Sequence, residues 1–261
     1  LNALYNMKTE KNFGLTVVDD SEDDRTKKVC ETHNLELNYL HPDNPKNTAY
    51  AKNIGWRSSE SDIVVFIDDD IRPRDYWLDE LVAVFEDNTV GGAGGPALET
   101  EDIILEESRN TISKRGLVND ESNRWVPPET SEVDTFRGAN QAYRKSVLRK
   151  VGGFDENYIG NCFREETDLC IRVKRAGYRL LYNPEAAVKH KSAQEGGSRD
   201  KSKDFWYSLG HNQRRFVEKN FPEYRNYHLF RFFFGWNYGS YGLSKLLLSA
   251  VKNLELERIE Y

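Results

Sequence analysis

Two rhythms of apolar residues alternate along this chain. Short β-branched runs stop on acids, and longer stretches repeat their apolar positions every three or four residues. Leu15-Thr16-Val17-Val18 ends on Asp19-Asp20, and Leu35 to Leu40 alternates apolar with polar, so both read as strands. Ile63 to Ile67 is a continuous apolar run that meets Asp68-Asp69-Asp70, the pattern of a strand packed on both faces. Between these runs lie helical patterns over Arg25–His33, Thr48–Arg57 and Asp75–Phe85, the last with Trp77, Leu78, Leu81, Val82 and Phe85 on one face. Regular exchange of strand and helix predicts an α/β fold with a mostly parallel, doubly wound sheet flanked by helices.

The second half is less regular. Val90 to Pro96 is a glycine-rich strand without a phosphate-cradling GxxxxGK[ST] pattern, so its glycines point to a close backbone or ligand approach. Ala97 to Glu132 is long, polar and weakly periodic, which marks a functional or mobile connection. Arg137 to Tyr143 leads into a helix over Lys145–Val151, closed by Gly152-Gly153. A helix from Glu165 stops at Gly177, Tyr178 to Tyr182 is a strand, and Ala186-Ala187-Val188 leads to His190. Gln194 to Lys203 is a polar loop whose Gly196-Gly197 pair could hinge it over a ligand, with Arg199 within reach of phosphate. Phe205 to Asn220 is helical, and an aromatic-rich helical tail follows. A boundary near residue 200 separates an α/β domain, 1–200, from a C-terminal extension, 201–261.

Composition narrows the class. The 261 residues are 31 % charged and 38 % hydrophobic, with a formal net charge of -6 and both signs dispersed, so no nucleic-acid partner is expected. Cys30, Cys162 and Cys170 lack metal or redox spacing and suggest a reducing compartment. No signal peptide and no run of about 18 apolar residues is visible, so the expected location is cytoplasmic. The chain starts without Met on what reads as a helix end, Leu1 to Tyr5, and is expected to be N-terminally short.

Three acidic clusters carry the candidate chemistry. Ligands of open α/β sheets lie beyond the carboxyl ends of strands, where Asp68-Asp69-Asp70 emerge. Their mutual repulsion is offset by a cation or a set of donors. Strand alternation sends Asp68 and Asp70 one way and Asp69 the other, giving an Asp-x-Asp pair suited to a divalent metal completed by phosphate. A polar strand end or helix cap is the plainer alternative. Asp19 or Asp20 could accept from a nucleotide base or ribose, or could simply cap a turn. Glu165 or Glu166 could be a general base, or merely favour a helix N-terminus. His190 is either a packed structural histidine or a nitrogen ligand beside the carboxylates. The tail aromatics fit a core equally with peripheral contact at a membrane surface.

In this order the clusters resemble glycosyltransferase family 2, with its GT-A fold. The residues that carry the likeness are Val17-Val18-Asp19-Asp20, Ala51-Lys52-Asn53-Ile54-Gly55, Phe66-Ile67-Asp68-Asp69-Asp70 with Pro73, Gly138-Ala139-Asn140, Gly152-Gly153-Phe154-Asp155-Glu156, Glu165-Glu166-Thr167-Asp168-Leu169, Ala176-Gly177-Tyr178, and Pro184 with His190. They span the chain from about Leu15 to His190.

The resemblance implies a nucleoside-diphosphate sugar donor, Mn²⁺ or Mg²⁺, and inverting transfer to a glycan or lipid-linked acceptor. It implies Asp70 as direct metal ligand, with Asp68 and His190 beside it, and Asp19, Asp20, Lys52 and Asp68 around the nucleotide. Gly138, Ala139 and Asn140 are implied beside the transferred sugar, and Glu166 or Glu165 as the base. Departures are the absent first strand of the family, a Glu where the second acid is usually Asp, and a turn after Asp20 without glycine. Two other classes remain open: a non-catalytic nucleotide- or glycan-binding module, and a sugar nucleotidyltransferase.

Overall fold

A computed structural model describes residues 1–191, except 22, 34–35, 45, 100–102, 104–109 and 121–122, and then residues 203–234. The loop 194–203 proposed as a lid lies outside the described residues except for its last position, as does the tail beyond residue 234. Helix α1 is Asn2–Asn6, β1 Leu15–Val18, α2 Arg25–Thr32, β2 Leu37–Leu40, α3 Thr48–Ser58, β3 Ile63–Ile67, β4 Ile71–Pro73 and α4 Trp77–Ala83. There follow β5 Val90–Gly94, β6 Ala97–Leu98, β7 Thr111–Ile112, β8 Val118–Asn119, β9 Ser131–Glu132 and β10 Asn140–Arg144. The chain continues with α5 Lys145–Val151, α6 Glu165–Arg175, β11 Arg179–Tyr182, β12 Val188–His190, α7 Lys203–Asn220 and α8 Arg225–Phe234.

The larger sheet has the order β3-β10-β5-β11-β9, and a second sheet has the order β4-β12-β6. Strand β3 packs on both faces, as its apolar run requires. Phe66 lies edge-on to Phe154 at 5.0 Å and to Tyr143 at 6.3 Å, and Val64, also buried, is the cross-strand partner of Tyr143. Ile63, Val65 and Ile67 pack against a core that includes Trp77, Leu78, Leu81 and Phe85.

The α/β layering follows the sequence pattern, but strand directions are mixed. Parallel pairs β1–β2, β5–β11 and β6–β12 coexist with β10, which runs antiparallel to both β3 and β5. Strand β10 replaces the expected simple lead into a helix. Its polar composition hid it, because its polar side chains are satisfied inside the fold. Asn140 accepts from Trp77 Nε1 at 3.0 Å and donates to Ala186 O at 2.8 Å. Arg144 donates to the carbonyls of Val90 and Asp87.

The glycines of β5, and Gly95 just after it, serve close packing within the protein. A Cβ on Gly95 would lie 2.1 Å from the backbone oxygen of Ala186, and one on Gly94 2.5 Å from Phe136. Helix α5 ends on Gly152 in the left-handed conformation, at φ 83°. In the turn before α2, Asp24 makes no side-chain cap, and Asp23 Oδ1 accepts from Arg25 N at 2.9 Å.

Contacts divide the chain into one unit over Leu1–Gln213 and another beginning at Arg214. Among the described residues, no helix is long and apolar enough to cross a membrane.

Candidate functional site

The second sheet builds the first part of the site. Strand β12 pairs antiparallel with β4, setting His190 opposite Ile71, and Lys191 N donates to Asp70 O at 2.9 Å. Asp70 is therefore held beside His190 by backbone pairing. The route differs from strand alternation, because β3 stops at Ile67 and Asp69-Asp70 form a turn. One ligand atom from each of Asp68, Asp70 and His190 lies within 4.8 Å of the others. Asp69 is exposed and stands outside this group.

Two carboxylates and an imidazole form a donor set that suits Mn²⁺ or a similar ion. The far nitrogen of the imidazole is engaged too: His190 Nδ1 lies 2.9 Å from Glu99 Oε1, while Nε2 lies 2.9 Å from Asp70 Oδ1. A carboxylate behind a ligating histidine is the usual support for such a ligand. The residues present thus fit a divalent cation. Asp68 is exposed at the surface but crowded by its surroundings. That crowding raises its carboxyl above the ordinary range; Lys52 and His190 oppose the rise, and Glu166 and Asp70 add to it.

The second part centres on Lys52 of α3. Its Nζ lies 2.6 Å from Glu165 Oε1 and 3.2 Å from Glu166 Oε1, at the start of α6. Burial alone would lower the Lys52 pKa, but attraction to Glu165, Glu166 and Asp68 outweighs it and holds the ammonium firmly charged. The two glutamates differ in access. The Glu165 side chain is 1 % exposed and that of Glu166 23 %. Burial, then the charge of Glu166, pushes the Glu165 carboxyl up to about 8, against the pull of Lys52. Gly138 closes this group: a Cβ there would lie 2.1 Å from Glu166 Oε1. The next two residues turn inward, since Ala139 and Asn140 are buried and the Asn140 amide is bonded to the fold.

The third part follows β1. Asp19 is buried, and its carboxylate accepts from Ser21 N and Oγ at 3.1 and 2.7 Å and from Tyr39 OH at 2.7 Å. Burial would raise its pKa, but the bonds from Ser21 and Tyr39 prevail and lower it. Asp20 is exposed beside it. A cavity of about 120 Å³ adjoins, lined by Asp23, Asp24, Lys27, Tyr39 and His41.

Sequence reasoning missed Glu99 and Tyr39. Glu99 sits in the polar stretch 97–132, where no periodicity singles it out. Tyr39 reads as an ordinary strand aromatic.

The model of the family described as "Glycosyl transferase family 2" matches residues 1–152. A pre-mycofactocin glycosyltransferase of Mycobacterium tuberculosis is 35 % identical over 160 residues, 59 % of this chain and 32 % of that protein. The match therefore spans about a third of that relative's length. Among solved structures, GalNAc-T7 with UDP, GalNAc and Mn²⁺ aligns at TM-score 0.61 and 15 % identity, over 78 % of this chain and 41 % of that one. The mannosyltransferase PcManGT from Pyrobaculum calidifontis, with GDP-Man and Mn²⁺, aligns at TM-score 0.58 and 17 % identity, over 84 % and 58 %. Likeness at this identity establishes the fold alone.

Proposed function

This chain belongs to glycosyl transferase family 2 and has the GT-A fold, and on that premise we propose that it is the catalytic part of a metal-dependent, inverting glycosyltransferase. Its donor is a nucleoside-diphosphate sugar, and its acceptor a hydroxyl of a glycan or lipid-linked glycan. We assign residues 1–200 to the transferase domain and 201–261 to a C-terminal extension. The aromatic tail offers peripheral contact at the cytoplasmic face of a membrane. The observation that carries the reading is the gathering of Asp68, Asp70 and His190 within 4.8 Å beside the Lys52–Glu165–Glu166 group. The Mn²⁺ and nucleotides held by the two fold neighbours support it.

Asp68, Asp70 and His190 hold Mn²⁺ or Mg²⁺. When bound, the ion supplies Lewis-acid neutralisation of the diphosphate leaving group. Asp19 and Asp20 receive the nucleoside, with the bond from Tyr39 keeping Asp19 ionised and oriented. Glu166 is the general base. Its carboxylate reaches solvent, whereas Glu165 lies buried against Lys52. Glu166 takes the proton of the acceptor hydroxyl as that oxygen bonds to the anomeric carbon. The bond from that carbon to the diphosphate breaks on the opposite face, so the configuration inverts. Lys52 offsets the charge of Glu166 and, with Asp68, borders the diphosphate. Gly138 leaves Glu166 room beside the transferred sugar, and Ala139 and Asn140 hold the sheet beneath it.

The test incubates the chain with UDP-, GDP- and dTDP-sugars, with and without Mn²⁺. Metal-dependent release of free nucleoside diphosphate is expected. Release of pyrophosphate would indicate a nucleotidyltransferase, and nucleotide binding without either product would indicate a binding module.

A further inference from the structure

We propose that Glu99 is the positioning residue of the metal centre: it holds the His190 ring with the proton on Nδ1, so that Nε2 keeps its lone pair for the cation. The proposal rests on the metal reading above and adds a residue from a different part of the fold.

Backbone pairing brings Glu99 to this place. Strands β6 and β12 are parallel, with Ala97 opposite Val188 and Leu98 opposite Lys189. One further step along both strands sets Glu99 beside His190. Its Oε1 lies 2.9 Å from His190 Nδ1 and also accepts from Arg137 Nη2 at 3.0 Å. The carboxylate is thus fixed by a cation before it meets the ring. His190 is 9 % exposed, so water has little access to offer the ring other partners.

A neutral imidazole carries one proton, and only the other nitrogen can ligate. A carboxylate accepts and cannot donate, so its partner nitrogen must be the protonated one. Asp70 Oδ1 faces Nε2 at 2.9 Å in the same way, so without a cation both nitrogens are drawn to a carboxylate. A cation held between Nε2 and Asp70 would take the Nε2 lone pair, and the one proton then stays on Nδ1, toward Glu99. Removing Glu99 leaves that Nδ1–H without its acceptor and the ring free to tilt. Partners of this kind are worth about 10- to 100-fold in metal affinity.

The experiment measures Mn²⁺ binding to the full chain by water-proton relaxation, using Mn²⁺ alone, for wild type, Glu99→Ala, Glu99→Gln and Asp70→Ala. Expected is a 10- to 100-fold weaker Kd for Glu99→Ala. Glu99→Gln should stay within about threefold of wild type, because its amide oxygen still accepts from Nδ1. Recovery of affinity in Glu99→Gln, which keeps an acceptor for Nδ1 but not the charge, separates orientation of the ring from the loss of a nearby negative charge. An unchanged Kd in Glu99→Ala beside a large loss in Asp70→Ala overturns the role of Glu99 alone, as does a Glu99→Gln affinity as weak as that of Glu99→Ala. Absence of Mn²⁺ binding to wild type overturns the metal reading and this proposal together.

Discussion

Gly138 and Glu166 are in such close contact that a single added carbon would strike the carboxylate: the Cβ position lies 2.1 Å from Glu166 Oε1. The glycine is required by a side chain from another element, with no demand from its own backbone angles. Gly138→Ala must displace Glu166, and a shift of about 1 Å at a reacting group costs about 10²-fold in rate. Turnover should fall by that order while nucleotide affinity, measured by calorimetry, stays near wild type. Full turnover in Gly138→Ala contradicts the placement of Glu166 as base.

The two glutamates should separate in kinetics. Glu166→Gln removes the proton acceptor, and general bases contribute about 10²- to 10⁴-fold. A loss in that range is expected for product formation, at unchanged donor binding. Near-normal turnover in this variant would sink the assignment.

Glu165 should reveal itself through stability against pH. Its carboxyl is held up to about 8 in the fold, against an ordinary value of 4.5. The folded state thus keeps a proton that the unfolded chain has released. This contribution is complete below about pH 4.5 and is lost as pH rises through about 8. Lys52 does not alter the trend in that window, because its own rise lies above 10.5. The Tm of wild type should fall from pH 5 to pH 8 relative to Glu165→Gln, whose profile is flatter. Parallel profiles for the two proteins would refute the buried, proton-retaining Glu165.

Asp70→Asn keeps the shape of the side chain and removes its charge. Mn²⁺-dependent nucleotide binding should weaken by at least about 10²-fold, the upper end of what outer partners of a metal cost. Calorimetry showing equal Mn²⁺-dependent affinity would exclude Asp70 as a ligand.

Gly95→Ala and Gly210→Ala should move stability in opposite directions. A Cβ at Gly95 meets the buried oxygen of Ala186 at 2.1 Å, whereas one at Gly210, in α7, meets nothing within 4 Å. The first should lose about 1–3 kcal/mol, as overpacked sites do. The second should gain up to about 1 kcal/mol, because alanine loses less backbone entropy in a helix. Urea unfolding measures both, and a stable Gly95→Ala would show that the backbone at Gly95 and Ala186 can yield.

The order of chemistry along the chain was legible in the sequence. Apolar runs ending on Asp19-Asp20 and on Asp68-Asp69-Asp70, and acids opening a helix at Glu165-Glu166, are local patterns. They depend on burial and helix dipoles over a few residues, and those residues suffice to write them. The glycine-rich strand was legible as a place of close approach, but what approaches it was not: Phe136 and the Ala186 backbone come from elsewhere in the chain.

What only the tertiary structure decided is where distant segments meet. Strand β10 carries Asn140, Gln141 and Arg144, whose polarity hides a strand because partners such as Trp77 and Ala186 satisfy Asn140 only in the fold. Asp70 reaches His190 through a turn and the β4–β12 pairing, and Glu99 reaches the same ring through β6. Hydrophobic periodicity records which face of an element is buried, and so the sequence by itself determined the apolar strands and helices that carry the acidic ends. Cross-strand register pairs residues about a hundred positions apart and leaves no mark in any short window. Convergence of Asp70, His190 and Glu99 therefore belonged to the fold.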